Sequence, residues 1–211
     1  LEITDKFTLQ AARDYKGAEM VPDGQAHLLI EIDGQKDSVR LESDTLFRLL
    51  ESLGALSVEV AASTADCARL WELRREFSYS LRATGLTKLN EDVTVPRSRL
   101  VDLVEFAESL QTSSGFPVAC FGHAGDGNIH VNIMVPDPGD PAQKAKADQA
   151  LDKLFHQVIA WGGAITGEHG IGIAKQPWFK DALHTGAQHT HHLLKNALDP
   201  NGILNPGKFL A

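Results

Sequence analysis

The stretch FGHAGDGNIHVNIMVP, Phe121–Pro136, decides how the rest of the chain is read. At its centre Gly125-Asp126-Gly127 offers what a tight hairpin requires, because glycine reaches positive φ without a steric penalty. Beyond the turn the residues alternate. On a strand, His130 and Asn132 fall on one face, and Ile129, Val131 and Ile133 on the other. The stretch therefore predicts two antiparallel strands, over 116–123 and 128–136, with an apolar side for a core. Across the turn His123 comes near His130, within reach of a common ion.

A second cluster lies downstream in a similar glycine setting, TGEHGIGIAKQPWF at 166–179. Gly167 and Gly170 bracket Glu168-His169, so the backbone can approach a neighbour closely while the two side chains diverge. Two histidines and one carboxylate are the smallest set for a catalytic zinc or similar divalent ion with a coordination position left for substrate.

Working outward, helical periodicity and capping signals predict helices over 3–15, 43–54, 64–85, 97–113, 144–163 and 187–199. In the second of these Asp44 is the expected N-cap, Gly54 the stop, and Leu46, Leu49, Leu50 and Leu53 the apolar face. Strands are predicted over 26–34 and 57–62, an extended piece over 90–95, and strand then loop over 164–172. Residues 38–41 suit either a short hairpin partner or an entry into the next helix. Residues 137–143 read as a loop, and the tail from Pro200 as turn-rich and irregular. The order implies an α+β fold: an antiparallel β-sheet with helices packed on one face, in two related, ferredoxin-like halves.

Bulk properties narrow the function. The chain has 211 residues, 43% hydrophobic and 23% charged, enough for one large domain or two small layered halves. A net charge of −8 argues against a nucleic-acid footprint, which needs a clustered basic surface. It leaves an anionic small substrate open, since one local arginine can govern a pocket. Cys67 and Cys120 lie far apart with no CxxC spacing, so both read as small buried hydrophobes rather than a disulfide, in keeping with a reducing, cytoplasmic setting. No apolar run reaches membrane-spanning length and no signal peptide is expected. The chain begins at Leu1 rather than Met, which suggests a piece of a longer protein.

Taken together and in order, GHAGDGNIHVN, GEHGIGIAK and ALDPNGILNPGK resemble the C-terminal half of the FAD-linked D-2-hydroxy-acid dehydrogenases. That group includes D-lactate and D-2-hydroxyglutarate dehydrogenases and the flavin subunit of glycolate oxidase, within the vanillyl-alcohol-oxidase superfamily. HLLIEIDG and LWELRREF also fit, so the resemblance covers residues 1–211 as a substrate (cap) domain. It implies that the N-terminal FAD-binding half lies outside this chain, because no glycine-rich FAD segment is found.

The resemblance implies roles residue by residue. His123, His130 and Glu168 match positions that hold a divalent metal, taken to be zinc. His169 matches the general base, Asn132 a substrate-binding residue, and Arg74 and Ser78 a substrate-binding pair four apart on one helix face; Arg75 reads as solvated. Lys88 stands two residues before Asn90, which occupies the place of a family lysine; that departure points away from a dicarboxylate substrate. Asn205 and Lys208 match the tail that folds back toward FAD, and His184, His189, His191 and His192 read as solvated. The implied activity is oxidation of a 2-hydroxy acid (lactate, glycolate or 2-hydroxyglutarate) to the 2-oxo acid, with hydride passed to flavin. The implied partners are the chain's own FAD domain and an electron acceptor, the latter allowing a peripheral place at the inner membrane. A cap domain alone should expose an apolar strip, which a homodimer would cover. The alternatives are a stand-alone regulatory or interaction module that keeps the fold without the chemistry, and a metal-dependent hydrolase. Against the hydrolase, the chain has no HExxH and no nucleophile elbow.

Overall fold

Asp5 opens the first helix: its carboxylate accepts the Thr8 N–H at 2.9 Å, satisfying a donor that has no partner inside the helix. A computed structural model describes residues 1–210 and divides them into two units, Leu1–Leu86 and Thr87 onward. The predicted α+β class with antiparallel strands is what the structure contains.

In the first unit, β1 (Glu2–Asp5) pairs antiparallel with β2 (Ala26–Leu29), and α1 (Lys6–Lys16) packs on α3 (Thr64–Ala83). Leu9, Ala12, Val21 and Phe77 form the small core between them, with Leu73 against it. Between the two comes α2 (Lys36–Ser52), which buries no residue fully. Leu41 and Leu49 on it, and Leu53 and Leu56 beyond it, are exposed.

Four local expectations are corrected here. Residues 3–5 are strand rather than the start of the first helix: β1 pairs with β2, and Glu2 and Thr4 on it are buried. Strand β2 ends at Leu29, well short of 34. The second helix begins at Lys36 with Gln35 at its N-cap, so Asp44 lies inside it and residues 38–41 belong to it. Residues 57–62 are not a strand, since no neighbouring ladder takes up their backbone groups and most are exposed.

In the second unit, β5 (Asn128–Val135) lies between β4 (Val118–His123) and β3 (Thr87–Thr94), all antiparallel. Val93, Ile129, Val131 and Ile133 are buried on one face. Helix α4 (Leu100–Ser114) packs on β4, and α5 (Pro141–Ala160) on β5 and α4. Asp140 caps α5 by accepting from Ala142 N–H at 2.7 Å, which starts the helix inside the expected loop 137–143. Residues 164–172 contain only a single bridge, Ala164 with Thr94. Two short helices follow, α6 (Gln176–Ala182), which was not anticipated, and α7 (Thr185–Leu198). His191 on α7 is half-buried rather than solvated, its ring centroid 5.7 Å from Phe179 and 5.4 Å from Phe209. Cys67 is exposed, Cys120 is buried, and both are free thiols.

The hairpin turn closes on Gly127, at φ +85°, where a Cβ would collide with the Val95 carbonyl that lines it. Gly162, at φ +74°, faces open space. Gly162→Ala is therefore expected to cost only the left-handed backbone penalty, about 1 kcal/mol. Gly127→Ala adds a backbone collision and is expected to cost at least about 3 kcal/mol. Urea unfolding of the two variants measures the difference, and equal losses would refute the collision.

Candidate active site

Antiparallel register puts directly paired residues on the same face of a sheet. His130 on β5 is flanked by Phe121 on β4 and Asp92 on β3, and Asn132 by Ala119 and Asn90. One face of the second unit's sheet thus carries Lys88, Asn90, Asp92, His130 and Asn132, opposite the apolar face.

The hairpin and the glycine-flanked loop meet over this face. Glu168 Oε1 lies 3.4 Å from His130 Nε2 and 3.7 Å from His123 Nε2. One ligating atom from each of the three residues falls within 4.8 Å of the others. Asn128 holds the carboxylate in place, donating from Nδ2 to Glu168 Oε1 at 3.1 Å. The side chain of His130 is 12% exposed, that of His123 42% and that of Glu168 51%, so the cluster reaches solvent through His123 and Glu168. The His169 ring stacks on His130 with centroids 5.5 Å apart, and its Nδ1 lies 3.3 Å from Asp92 Oδ1.

Asp92 is fully buried and is the residue on which the loop is built. Its carboxylate accepts the N–H groups of Gly167 (2.6 Å), Glu168 and His169 (2.9 Å), and the Thr166 hydroxyl at 3.2 Å. The ammonium of Lys175, itself buried, pairs with the same carboxylate and donates to the Asp92 carbonyl at 3.0 Å. Burial opposes the charge on Asp92, but Lys175 and the loop N–H groups overcome it and hold the pKa well below the usual carboxylate range. Glu91 is 3.5 Å from the same ammonium, and burial pushes its pKa up.

In the first unit Arg74 is no surface arginine: its Nε and Nη2 donate to the buried Glu2 carboxylate at 2.7 and 2.6 Å. Ser78 is half-buried one turn further along α3, and Arg75 is exposed. Lys88 sits with Nζ 5.9 Å from the Phe121 ring centroid. Asn132 is fully buried and donates to the Ala119 and His130 carbonyls at 3.1 and 3.2 Å, while its Oδ1 meets no donor among the described residues. Asn205 and Lys208 are exposed in a tail turn that returns to the loop region, Phe209 N–H donating to the Gly172 carbonyl at 3.0 Å. Asp92, Lys175 and Asn128 were not singled out in the sequence. An aspartate on a strand is the signal that could have found the first, because strands disfavour aspartate unless it has a partner.

The family model described as FAD linked oxidases, C-terminal domain, matches residues 1–209. The chain belongs to this family. Among its relatives, the glycolate oxidase subunit GlcD of Bacillus subtilis is 34% identical over 100% of the chain and 45% of its own length. GlcD of Escherichia coli K12 is 33% identical over 99% of the chain and 42% of its length. A D-lactate dehydrogenase of Anaerostipes hadrus is 30% identical over 99% of the chain and 45% of its length. This FAD-linked oxidase domain therefore spans less than half the length of those relatives. The fold is also that of part of the 4-ethylphenol oxidase of Gulosibacter chungangensis, with a TM-score of 0.61 at 16% identity, covering 98% of this chain and 46% of that one. Among the described residues no helix is long and apolar enough to cross a membrane.

The Lys175 pairing makes a prediction about this domain's stability. Lys175→Met leaves Asp92 buried without its cation and is expected to cost about 3–5 kcal/mol at neutral pH. A carboxylate whose pKa is depressed on folding stabilises above its unfolded pKa, 3.8 here, and loses that contribution as the pH falls through the folded value. From about pH 5 down past the unfolded value of 3.8, where the unfolded carboxylate takes up its proton and the folded one does not, wild-type stability should fall, and fall less in Lys175→Met. Urea midpoints across that range check both, and parallel curves would refute the pairing.

Proposed function

We propose that this chain is the substrate-binding, metal-holding part of an FAD-dependent oxidoreductase that oxidises a 2-hydroxy acid of the glycolate or lactate class to the 2-oxo acid. The observation that carries the reading is the convergence of His123, His130 and Glu168 on one point, with His169 stacked beside them. Two imidazoles and a carboxylate, partly open to solvent, suit a divalent cation such as zinc with a position left for substrate. A cation held there supplies Lewis acidity toward a hydroxy acid's oxygens, lowering the pKa of the hydroxyl.

His169 is the base in this reading. Its Nδ1 faces Asp92, so that nitrogen carries the proton and Nε2 is left to accept one from the substrate hydroxyl. Asn132, which the family resemblance matches to a substrate-binding residue, lies fully buried on the same sheet face beside His130. Lys88 on the same sheet face supplies positive charge for a carboxylate. By the family resemblance Arg74 and Ser78 also bind substrate, and the Arg74 guanidinium is oriented by Glu2. Asn90, neutral on that face, suits a monocarboxylate better than a dicarboxylate.

FAD, where it is bound, supplies the hydride acceptor. Asn205 and Lys208 are the residues assigned to contact with it, from a turn anchored by Phe209 and by Gln176, whose Nε2 donates to the Gly207 carbonyl at 3.4 Å. Exposed leucines on α2, and Leu193, Leu194, Leu198, Ile203 and Leu204 on α7 and the tail, support docking on an FAD-binding domain, with a homodimer as the other occupant. Reoxidation requires an electron acceptor, which allows a cytoplasmic protein to work at the inner membrane surface.

The purified chain is expected to bind zinc stoichiometrically by elemental analysis, and His130→Ala and Glu168→Gln to lose it. Unchanged zinc in His130→Ala sinks the site. In the flavin-loaded polypeptide, His169→Gln is expected to keep the zinc, leave KM nearly unchanged and lower kcat by about 10²–10⁴-fold. A wild-type kcat would remove His169 as the base.

A further inference from the structure

The proposed chemistry uses Asp92 only through the Nδ1 of His169, yet the Asp92 carboxylate also accepts three backbone N–H groups and a hydroxyl. Residues 166–169 form neither helix nor strand, so their N–H groups lack the partners that regular structure provides. Three of these N–H groups, those of Gly167, Glu168 and His169, converge on Asp92 Oδ2. The Thr166 hydroxyl adds a fourth donor and in turn accepts the Gly170 N–H at 2.8 Å. Successive N–H groups curled this way make an anion-binding concavity. Here the anion is a side chain of the protein, delivered from β3 and neutralised by Lys175.

We propose that Asp92 is the positioning residue of the site, an internal carboxylate that moulds the 166–170 loop and so sets Glu168 toward His123 and His130 and His169 over His130. It touches neither the cation nor the substrate and acts through the loop backbone and the Nδ1 of His169. The inference rests on the metal-site reading for its consequence, but the moulding itself does not.

The probe is cobalt(II), whose visible absorption reports both affinity and coordination geometry. Asp92→Ala and Asp92→Asn are expected to bind cobalt(II) at least about tenfold more weakly, with an altered spectrum, as for other residues that orient metal ligands. Formate, a free carboxylate of the right size, should refill the concavity in Asp92→Ala and restore spectrum and affinity. It should do nothing for Asp92→Asn, whose amide still occupies the place. Wild-type cobalt binding in Asp92→Ala, or weakened binding that formate leaves unchanged, overturns the proposal. If neither variant folds, Thr166→Val decides: several-fold weaker cobalt binding supports the role, and unchanged binding overturns it. If the wild-type chain binds no cobalt, the metal-site reading fails separately. Amide hydrogen exchange of residues 166–169 then judges Asp92, with faster exchange in Asp92→Ala supporting the moulding and unchanged exchange overturning it.

Discussion

A buried carboxylate and a run of partnerless backbone N–H groups meet at Asp92, and the arrangement of the second unit's polar face follows from that meeting. Each is unfavourable alone. An ionised side chain taken from water loses several kcal/mol of solvation, and a buried N–H without an acceptor loses about 1–3 kcal/mol. Together they offset one another: the loop supplies three N–H groups and a hydroxyl, Lys175 supplies the countercharge, and the strand supplies the rigidity. This is why an irregular segment can carry two chemistry-bearing side chains in fixed directions. The loop takes its order chiefly from β3, at Asp92, and adds its own bond from Gly170 N–H to the Thr166 hydroxyl.

What was legible in the sequence was whatever local chemistry dictates. Alternation around Ile129–Ile133 and the glycines of the turn give the hairpin, and the hairpin brings His123 and His130 together. The glycines bracketing Glu168 and His169 mark a loop that approaches something closely. Segments whose state depends on distant neighbours were harder. Residues 57–62 have strand composition but no ladder to join, and residues 3–5 have helical periodicity but pair with β2. The start of α2 leaves no capping signal to read, because Gln35 caps it with no side-chain hydrogen bond. Helix α6 did carry one, a proline in its first turn.

Charge partners were the least legible part. Arg74 meets Glu2 across 72 residues, and Asp92 meets the loop across about 75, so neither pairing leaves a mark in local spacing. Sequence marked Arg74 as cationic and Lys175 as part of a motif. It could not say that the first is oriented by a buried glutamate, nor that the second neutralises an aspartate from a strand.

The same dependence on distant neighbours explains why a side chain at Gly167 would disturb the cluster. A Cβ there would overlap the Asn128 carboxamide, the group that donates to Glu168 Oε1. Asn128 in turn is fixed at the foot of β5, where its N–H donates to the Asp126 carboxylate at 3.0 Å inside the hairpin turn. Hairpin and loop therefore touch at two levels, the donor atoms above and Asn128 against Gly167 below. A side chain at position 167 would separate them at the lower level and release the carboxylate at the upper one. The glycine and the asparagine belong to the geometry of the three-residue cluster as much as the three residues themselves.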